Sequence, residues 1–265
     1  MTSTHSLVAA GTRAFLMVAH PGHELRIHGW LETVRPHVFV LTDGSGRIDR
    51  SRLASTSRVL AAVGAQPGSI YGRFTDVALY DAILGGRHEV FRALALDFAD
   101  ALTRTRPDYV VGDALEGYNP VHDVCRSIIN VALEISARRG TPMAGNFDFP
   151  LVGRPDAARR QPAAMVVGLR LEEPQLARKL AAAHGYPELG HEIEAALREN
   201  SVDAFRDECL RAADGGHTPP EIPPYYEKYG EGQVAAGYYS RALRYREHVL
   251  PIVESLQAWA DSGAT

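Results

Sequence analysis

Short apolar runs alternate with helical patterns over the first 140 residues, and that alternation restricts the chain to few architectures. Ala14–Ala19, His37–Leu41, Ser69–Tyr71 and Tyr109–Val111 read as strands. Glu24 to about Thr33, Arg52–Val63, His88–Arg104 and His122–Arg138 read as helices, with Phe74–Leu84 irregular between them. Strands separated by helices predict a mostly parallel sheet with right-handed crossovers, an α/β protein. The first strand climbs straight into His20-Pro21-Gly22-His23-Glu24. Proline near a helix entry does no harm, because its fixed φ suits the first turn. Two histidines three residues apart are thereby placed at the carboxyl end of a strand, the edge where open α/β sheets bind ligands. The plainer alternative makes His20 a strand cap and His23 a solvated first-turn residue.

After Gly140 the pattern loosens. Asn146–Phe149 and Met165–Leu169 read as later strands. Glu172–Ala183, Gly190–Asn200 and Val202–Ala213 read as helices. Asp214–Pro224 is a Gly/Pro-rich linker or lid, and Tyr225–Tyr239 is aromatic and polar. A final helix spans about Ser240–Trp259, entered or kinked near Pro251. Residues 1–265 are expected to form one domain, with a core over about 14–170 and a helical C-terminal extension over 171–265 that packs back on the sheet. A net charge of −4 without any basic block argues against a nucleic-acid partner. No apolar run reaches membrane-spanning length, and the N-terminus lacks the apolar core of a signal peptide, so a cytoplasmic protein is expected. Cys125 and Cys209 stand far apart, each in a helical stretch, and read as reduced, buried thiols. A homo-oligomer is left open.

A third histidine gives the first two a chemistry. Strand four ends at Gly112, a loop runs from Asp113 to Val121, and His122 opens the next helix. If strands one and four are neighbours, His20, His23 and His122 converge at one edge. Three imidazoles with an open fourth position suit a catalytic Zn²⁺.

At this point the motifs become recognisable. The chain resembles the PIG-L/LmbE-like family of zinc-dependent N-acetylglucosaminyl deacetylases. The family's Ala-His-Pro-Asp-Asp-Glu appears as Ala19-His20-Pro21-Gly22-His23-Glu24, and its Thr-Asp-Gly as Thr42-Asp43-Gly44. Its Arg-Pro-Asp-x-Val strand appears as Arg106-Pro107-Asp108-Tyr109-Val110, and its His-Pro-Asp-His as Asn119-Pro120-Val121-His122. The resemblance covers roughly residues 14–138. It implies a Rossmann-like sheet flanked by helices, a small-molecule substrate of the sugar-derivative class, and zinc held by His20, His23 and His122. The resemblance also places Glu24 as the partner that orients a metal-bound histidine, and Asp76 where relatives meet the sugar.

The departures are chemical. The position of the family's water-activating aspartate is Gly22, its oxyanion-stabilising histidine is Asn119, and the aspartate orienting that histidine is Val121. Histidine at position 23 replaces a carboxylate ligand. A neutral imidazole there leaves more positive charge on the site, and three-histidine zinc brings a bound water to a pKa of about 7. Asp113 or Glu116 is then the expected proton acceptor, with Asn119 donating to the oxyanion. Asp43 ends strand two on the same edge, and Tyr226 and Glu227 belong to a polar aromatic cluster suited to sugar faces; these are expected to contact substrate. Glu116 reads equally as a solvated charge, Asp43 as a turn former and the tyrosines as a packing strip. The favoured reading is a metal-dependent hydrolase that removes an acyl group from an amino sugar or sugar conjugate. Its alternative is a non-catalytic carbohydrate- or nucleotide-binding protein on the same fold. A nicotinamide dehydrogenase is disfavoured, because His-Pro-Gly-His stands where a GxGxxG loop would.

Overall fold

The computed structural model describes residues 11–46, 50–143, 145–157, 165–213 and 223–263. Among these residues seven strands form one sheet in the order β3-β2-β1-β4-β5-β7-β6. The strands are β1 (Ala14–Val18), β2 (His37–Thr42), β3 (Gln66–Phe74), β4 (Tyr109–Asp113), β5 (Gly145–Phe149), β6 (Met165–Arg170) and β7 (Asp207–Ala212). The first five pair in parallel. β7 runs antiparallel to both β5 and β6. The helices are α1 (His28–Val34), α2 (Leu53–Val63), α3 (Asp76–Leu84), α4 (His88–Thr105), α5 (Pro120–Arg138), α6 (Glu173–His184), α7 (Gly190–Glu199), α8 (Tyr225–Ala235) and α9 (Leu250–Asp261). The mostly parallel α/β sheet is as the alternation predicts.

Both faces of the sheet are buried, which is why β1 is apolar at every position. Leu16 and Val18 face a core built with Trp30, Leu31, Val59 and Leu60. Phe15 and Met17 face the opposite core, with Leu94, Phe98, Val124 and Ile252. The chain steps outward from β1 to β3, then returns to place β4 on the other side of β1. That reversal leaves a crevice beyond the carboxyl ends of β1 and β4, the place where such sheets hold ligands. His20 and His23 follow β1, and His122 lies on α5 after β4. None of the helices among the described residues is long and apolar enough to cross a membrane.

Several elements differ from the sequence reading. The segment after Gly22 begins as a 3-10 turn over His23–Ile27 and becomes α-helical only at His28. Phe74–Leu84 is not irregular: Thr75 caps α3, its side chain accepting from the Ala78 N–H at 3.1 Å. Asp113 is not in a loop but is the last residue of β4 and fully buried. The C-terminal helix is broken, with a π-helical turn over Tyr245–Val249 before α9, and Pro251 sits in the first turn of α9. Of the Asp214–Pro224 linker, residues 214–222 lie outside the described residues.

The largest difference is β7, expected as part of a helix over Val202–Ala213. A 3-10 turn covers Val202–Arg206, and the strand follows. Cys209 therefore lies on a strand, not a helix. The strand is disguised because its buried position 208 is a glutamate. Glu208 accepts from the Gly29 and Trp30 N–H groups, each at 2.8 Å, and from Lys179 Nζ at 2.8 Å. These bonds satisfy the first turn of α1 and make a charged residue tolerable inside. Removing the cation leaves that carboxylate buried without its counter-charge. Lys179→Met is expected to destabilise the protein by about 3 kcal/mol in chemical denaturation, and Lys179→Met with Glu208→Gln to lose less than the single change.

Candidate functional site

The peptide at Ala19 is fixed from two sides. Its N–H donates to Asp113 Oδ2 at 2.8 Å, and its carbonyl accepts from the Thr42 N–H at 3.0 Å. Three central strands thereby aim His20 outward at one point. His20 Nδ1 donates to Asp76 Oδ1 at 2.9 Å and lies 2.8 Å from Thr42 Oγ1. His23 Nδ1 donates to Asp113, 3.0 Å from each carboxylate oxygen. A carboxylate can only accept, so in both rings Nδ1 carries the proton and Nε2 keeps its lone pair. This pairing is how metal-ligating histidines are commonly held.

His122 completes a triangle. Ring centres lie 5.4 Å apart for His20–His23, 5.2 Å for His20–His122 and 4.6 Å for His23–His122. Metal–nitrogen bonds of about 2.0 Å in tetrahedral array space imidazole centres about 5 Å apart. His20 Nε2 and His122 Nδ1 are buried and have no hydrogen-bond partner. A buried ring nitrogen without a partner is costly unless something binds it. Among the described residues no three His, Cys, Asp or Glu side chains form a closed metal-binding group. The ring centres are thus spaced as metal-bound imidazoles would be, while the side chains as they stand form no group that holds an ion. The donor set fits a divalent transition metal such as Zn²⁺.

The electrostatics suit the same role. Burial alone would raise the Asp113 carboxyl, but its interactions with His23, with nearby His122 and with the Ala19 N–H outweigh it and hold it below its ordinary value. Burial opposes ionisation of Asp76 too; its interaction with His20 and the Gly46 N–H at 2.7 Å outweigh it and push the carboxyl well below the carboxylate range. His122 is pushed far down, first by burial and then by the neighbouring His23, so it stays a neutral imidazole ready to donate a lone pair.

Other expected residues take different places. Glu116 lies over α5 with its carboxylate accepting from the Leu151 N–H at 2.9 Å and the Val152 N–H at 3.1 Å, and it pins the 150–157 segment. Glu24 does not orient a histidine. It accepts from the Gly22 N–H at 2.8 Å and from the Tyr186 hydroxyl, and it is fully buried. Asn119 caps α5, its Oδ1 accepting from the Val121 N–H at 2.9 Å, which leaves its amide N–H groups toward the cavity it lines. Asp43 accepts from the Ser45 N–H at 3.0 Å and serves its turn. Tyr226 is buried in the core below the site, and Glu227 accepts from the Tyr245 N–H at 2.8 Å. The segment's contribution at the site edge comes from its other end: Tyr238 to Arg241 line a cavity of about 670 Å³ with His20, His23, Asp76 and His122.

Backbone and packing both restrict position 22 to a small residue. Its φ is +107°, and a Cβ there would stand 2.5 Å from Leu189 Cδ1. Leu189 follows α6 in the turn Pro187–Leu189, so a hydrophobic side chain occupies the space beside the motif where a carboxylate would project. One acid missed from the sequence sits close by. Glu192, in the first turn of α7, lines both this cavity and a second one of about 590 Å³, where the two meet over Gly22, His23 and His122.

No protein-family model matches the chain, and no curated protein sequence matches it significantly. Solved structures of similar shape exist. The conserved protein TT1542 from Thermus thermophilus is 17% identical, covering 78% of this chain and 98% of that one, with a TM-score of 0.48. The zinc inhibited form of teicoplanin deacetylase Orf2 is 13% identical over 77% and 100%, with a TM-score of 0.47. The antimicrobial reagent A40926 pseudoaglycone deacetylase Dbv21 is 19% identical over 78% and 99%, with a TM-score of 0.46. At these identities the roles of the site residues rest on the side-chain geometry.

The residue after His122 carries a measurable signature. Burial pushes the Asp123 carboxyl up to about 7, against the Gly117 and Glu116 N–H groups that favour its ionised form. A native-state pKa above the unfolded value of about 3.9 means the folded chain binds the proton more tightly. The contribution is whole below about pH 4 and is lost as pH rises through about 7. Asp123→Asn is expected to raise stability at pH 8 by on the order of 2 kcal/mol and to change little at pH 4, measured by denaturant titration at both pH values.

Proposed function

We propose that this protein is a metal-dependent hydrolase that removes an acyl group from an amino sugar or related sugar conjugate. The observation that carries this reading is the triangle of His20, His23 and His122, two of them hydrogen-bonded through Nδ1 to buried or half-buried aspartates. A zinc ion held by His20, His23 and His122 would supply Lewis acidity and acidify a water. Asp76 and Asp113 hold two of the ligand histidines in one tautomer and one orientation. Glu192 takes the proton from the attacking water at a carboxylate oxygen. Asp113 and Glu116 are less suited to this, since their oxygens are already engaged with His23 and Ala19, and with Leu151 and Val152. Asn119 donates an amide N–H to the developing oxyanion. Tyr80, Tyr118, Tyr238 and Tyr239 line the larger cavity with Arg52 and Asp81, a mixture of flat apolar faces and polar tips that suits a sugar.

A second reading is a sugar-binding protein without catalysis, favoured by the absence of any side chain at Gly22. Metal analysis and rate measurements on protein purified without a chelating column separate the two. The wild type is expected to carry about one zinc per chain. His122→Ala should lose it while keeping its far-ultraviolet circular dichroism. Asp113→Asn and Asp76→Asn should each weaken zinc affinity about 10–100-fold in competition with a chromophoric chelator. Glu192→Gln should keep the zinc and lower hydrolysis of N-acetyl sugars by about 10²–10⁴, with Glu116→Gln near wild type. A metal-free wild type ends the hydrolase reading. A zinc-loaded wild type that binds N-acetyl sugars without hydrolysing them selects the binding protein.

Restoring aspartate at position 22 is a separate test of the local backbone. Gly22→Asp is expected to lower the melting temperature by several degrees, since an L-residue at this φ is strained by about 1 kcal/mol and the new Cβ meets Leu189. Leu189→Ala in the same chain should relieve the clash and leave the φ penalty alone.

A further inference from the structure

The histidine triangle opens on two chambers, and their walls differ. The chamber of about 670 Å³ beside His20 and Asp76 is the more polar of the two, lined by tyrosines and charged groups with Val77 and Leu84 among them. With Arg26, Lys179, Glu192 and Glu199 on its wall, the chamber of about 590 Å³ beside His23 also carries the large apolar side chains Leu25, Leu151, Leu180, Leu189, Ile193 and Phe205. These come from four separate pieces of the chain, and every one of the six is only half-buried. Four of them, Leu25, Leu151, Leu189 and Ile193, are rooted on the core packed against α1 and α2 and turn an uncovered face to the chamber. Each such face left to water is unfavourable in proportion to its area. Gly22, His23, Tyr118, His122, Leu189 and Glu192 line both chambers, so the two border each other at the histidines.

We infer that the apolar chamber is an acyl-chain subsite: the protein takes an N-acylated sugar whose acyl group is a medium or long aliphatic chain, not acetyl alone. The inference rests on the hydrolase reading for the position of the carbonyl and on the wall chemistry for the chain. With the carbonyl at the junction, the sugar lies on the polar side and the alkyl chain runs past Leu189 toward Leu180 and Phe205. An acetyl group ends at the junction and touches none of the deeper residues. The chamber volume is within the ordinary range for pockets that enclose a small ligand. Leu189 has a double part in this arrangement. It fills the space beside Gly22 and lines the chamber where it meets the histidines.

The test is calorimetric binding of N-acetyl-, N-butanoyl-, N-hexanoyl- and N-octanoylglucosamine to the whole protein, with zinc and after chelation. Affinity is expected to rise roughly fourfold per buried methylene along the series, with or without metal. Ile193→Asp and Leu180→Trp, one charging the wall and one filling the space, should flatten the series and leave the acetyl compound where it was; thermal melts verify that both fold. A wild-type affinity independent of chain length, no binding of any member, or an unchanged slope in both variants overturns the subsite. Zinc content is read separately on the same samples. A chain-length slope in a protein that binds no zinc keeps the chamber and removes the hydrolase, and a zinc-loaded protein without the slope does the reverse.

Discussion

One buried carboxylate holds the functional end of the sheet together. Asp113 closes β4, accepts the Ala19 N–H from the end of β1, and receives the Nδ1 proton of His23. These contacts tie two neighbouring strands to the loop that leaves one of them. The order of connection reverses between those two parallel strands, so the loops leaving them diverge and Asp113 ties their ends together. A carboxylate in an apolar interior is stable only when its oxygens are satisfied, and both are. The same requirement makes Asp113 a poor proton acceptor. Its charge is committed to geometry, and the chemistry must come from an acid with freer oxygens.

The helical segment between β6 and β7 is the other half of the site. In the sheet order, β7 inserts between β5 and β6, so α6 and α7 are carried back over the outside of the crevice. Lys179 on α6 reaches Glu208 on β7, and Tyr186 after α6 reaches Glu24 behind the motif. Two buried polar contacts thus anchor a segment whose apolar side chains would otherwise have no fixed seat. With the anchors in place, Leu189 stands against Gly22 and α7 brings Glu192 to the junction of the chambers.

What the sequence reveals and what it hides follow from one distinction. β1 and the middles of β2 and β4 are buried on both faces and therefore apolar, which makes them visible without any structure. The histidines are legible because each stands next to the end of such a strand. Asp113 reads as a loop residue because a charge at a strand end resembles a turn, and its hydrogen bonds to Ala19 and His23 cross 94 and 90 residues of sequence. β7 reads as helix because Glu208 interrupts its buried run, and the groups that satisfy Glu208 lie on α1 and α6. Glu192 gives no local signal at all. It is one of several charges on an amphipathic helix, distinguished only by where that helix is carried. α3 is hidden for a smaller reason: its cap is a single threonine and it ends at Gly85-Gly86 after nine residues.

The contact between Leu189 and the vacant side-chain position at Gly22 has a consequence for how such a chain can change. Any side chain at position 22 shares its space with that leucine, so the size tolerated at one position depends on what stands at the other, and substitutions at the two are not additive. Leu189 also lines the cavity beside His23, so a smaller residue there widens that cavity as it makes room at position 22.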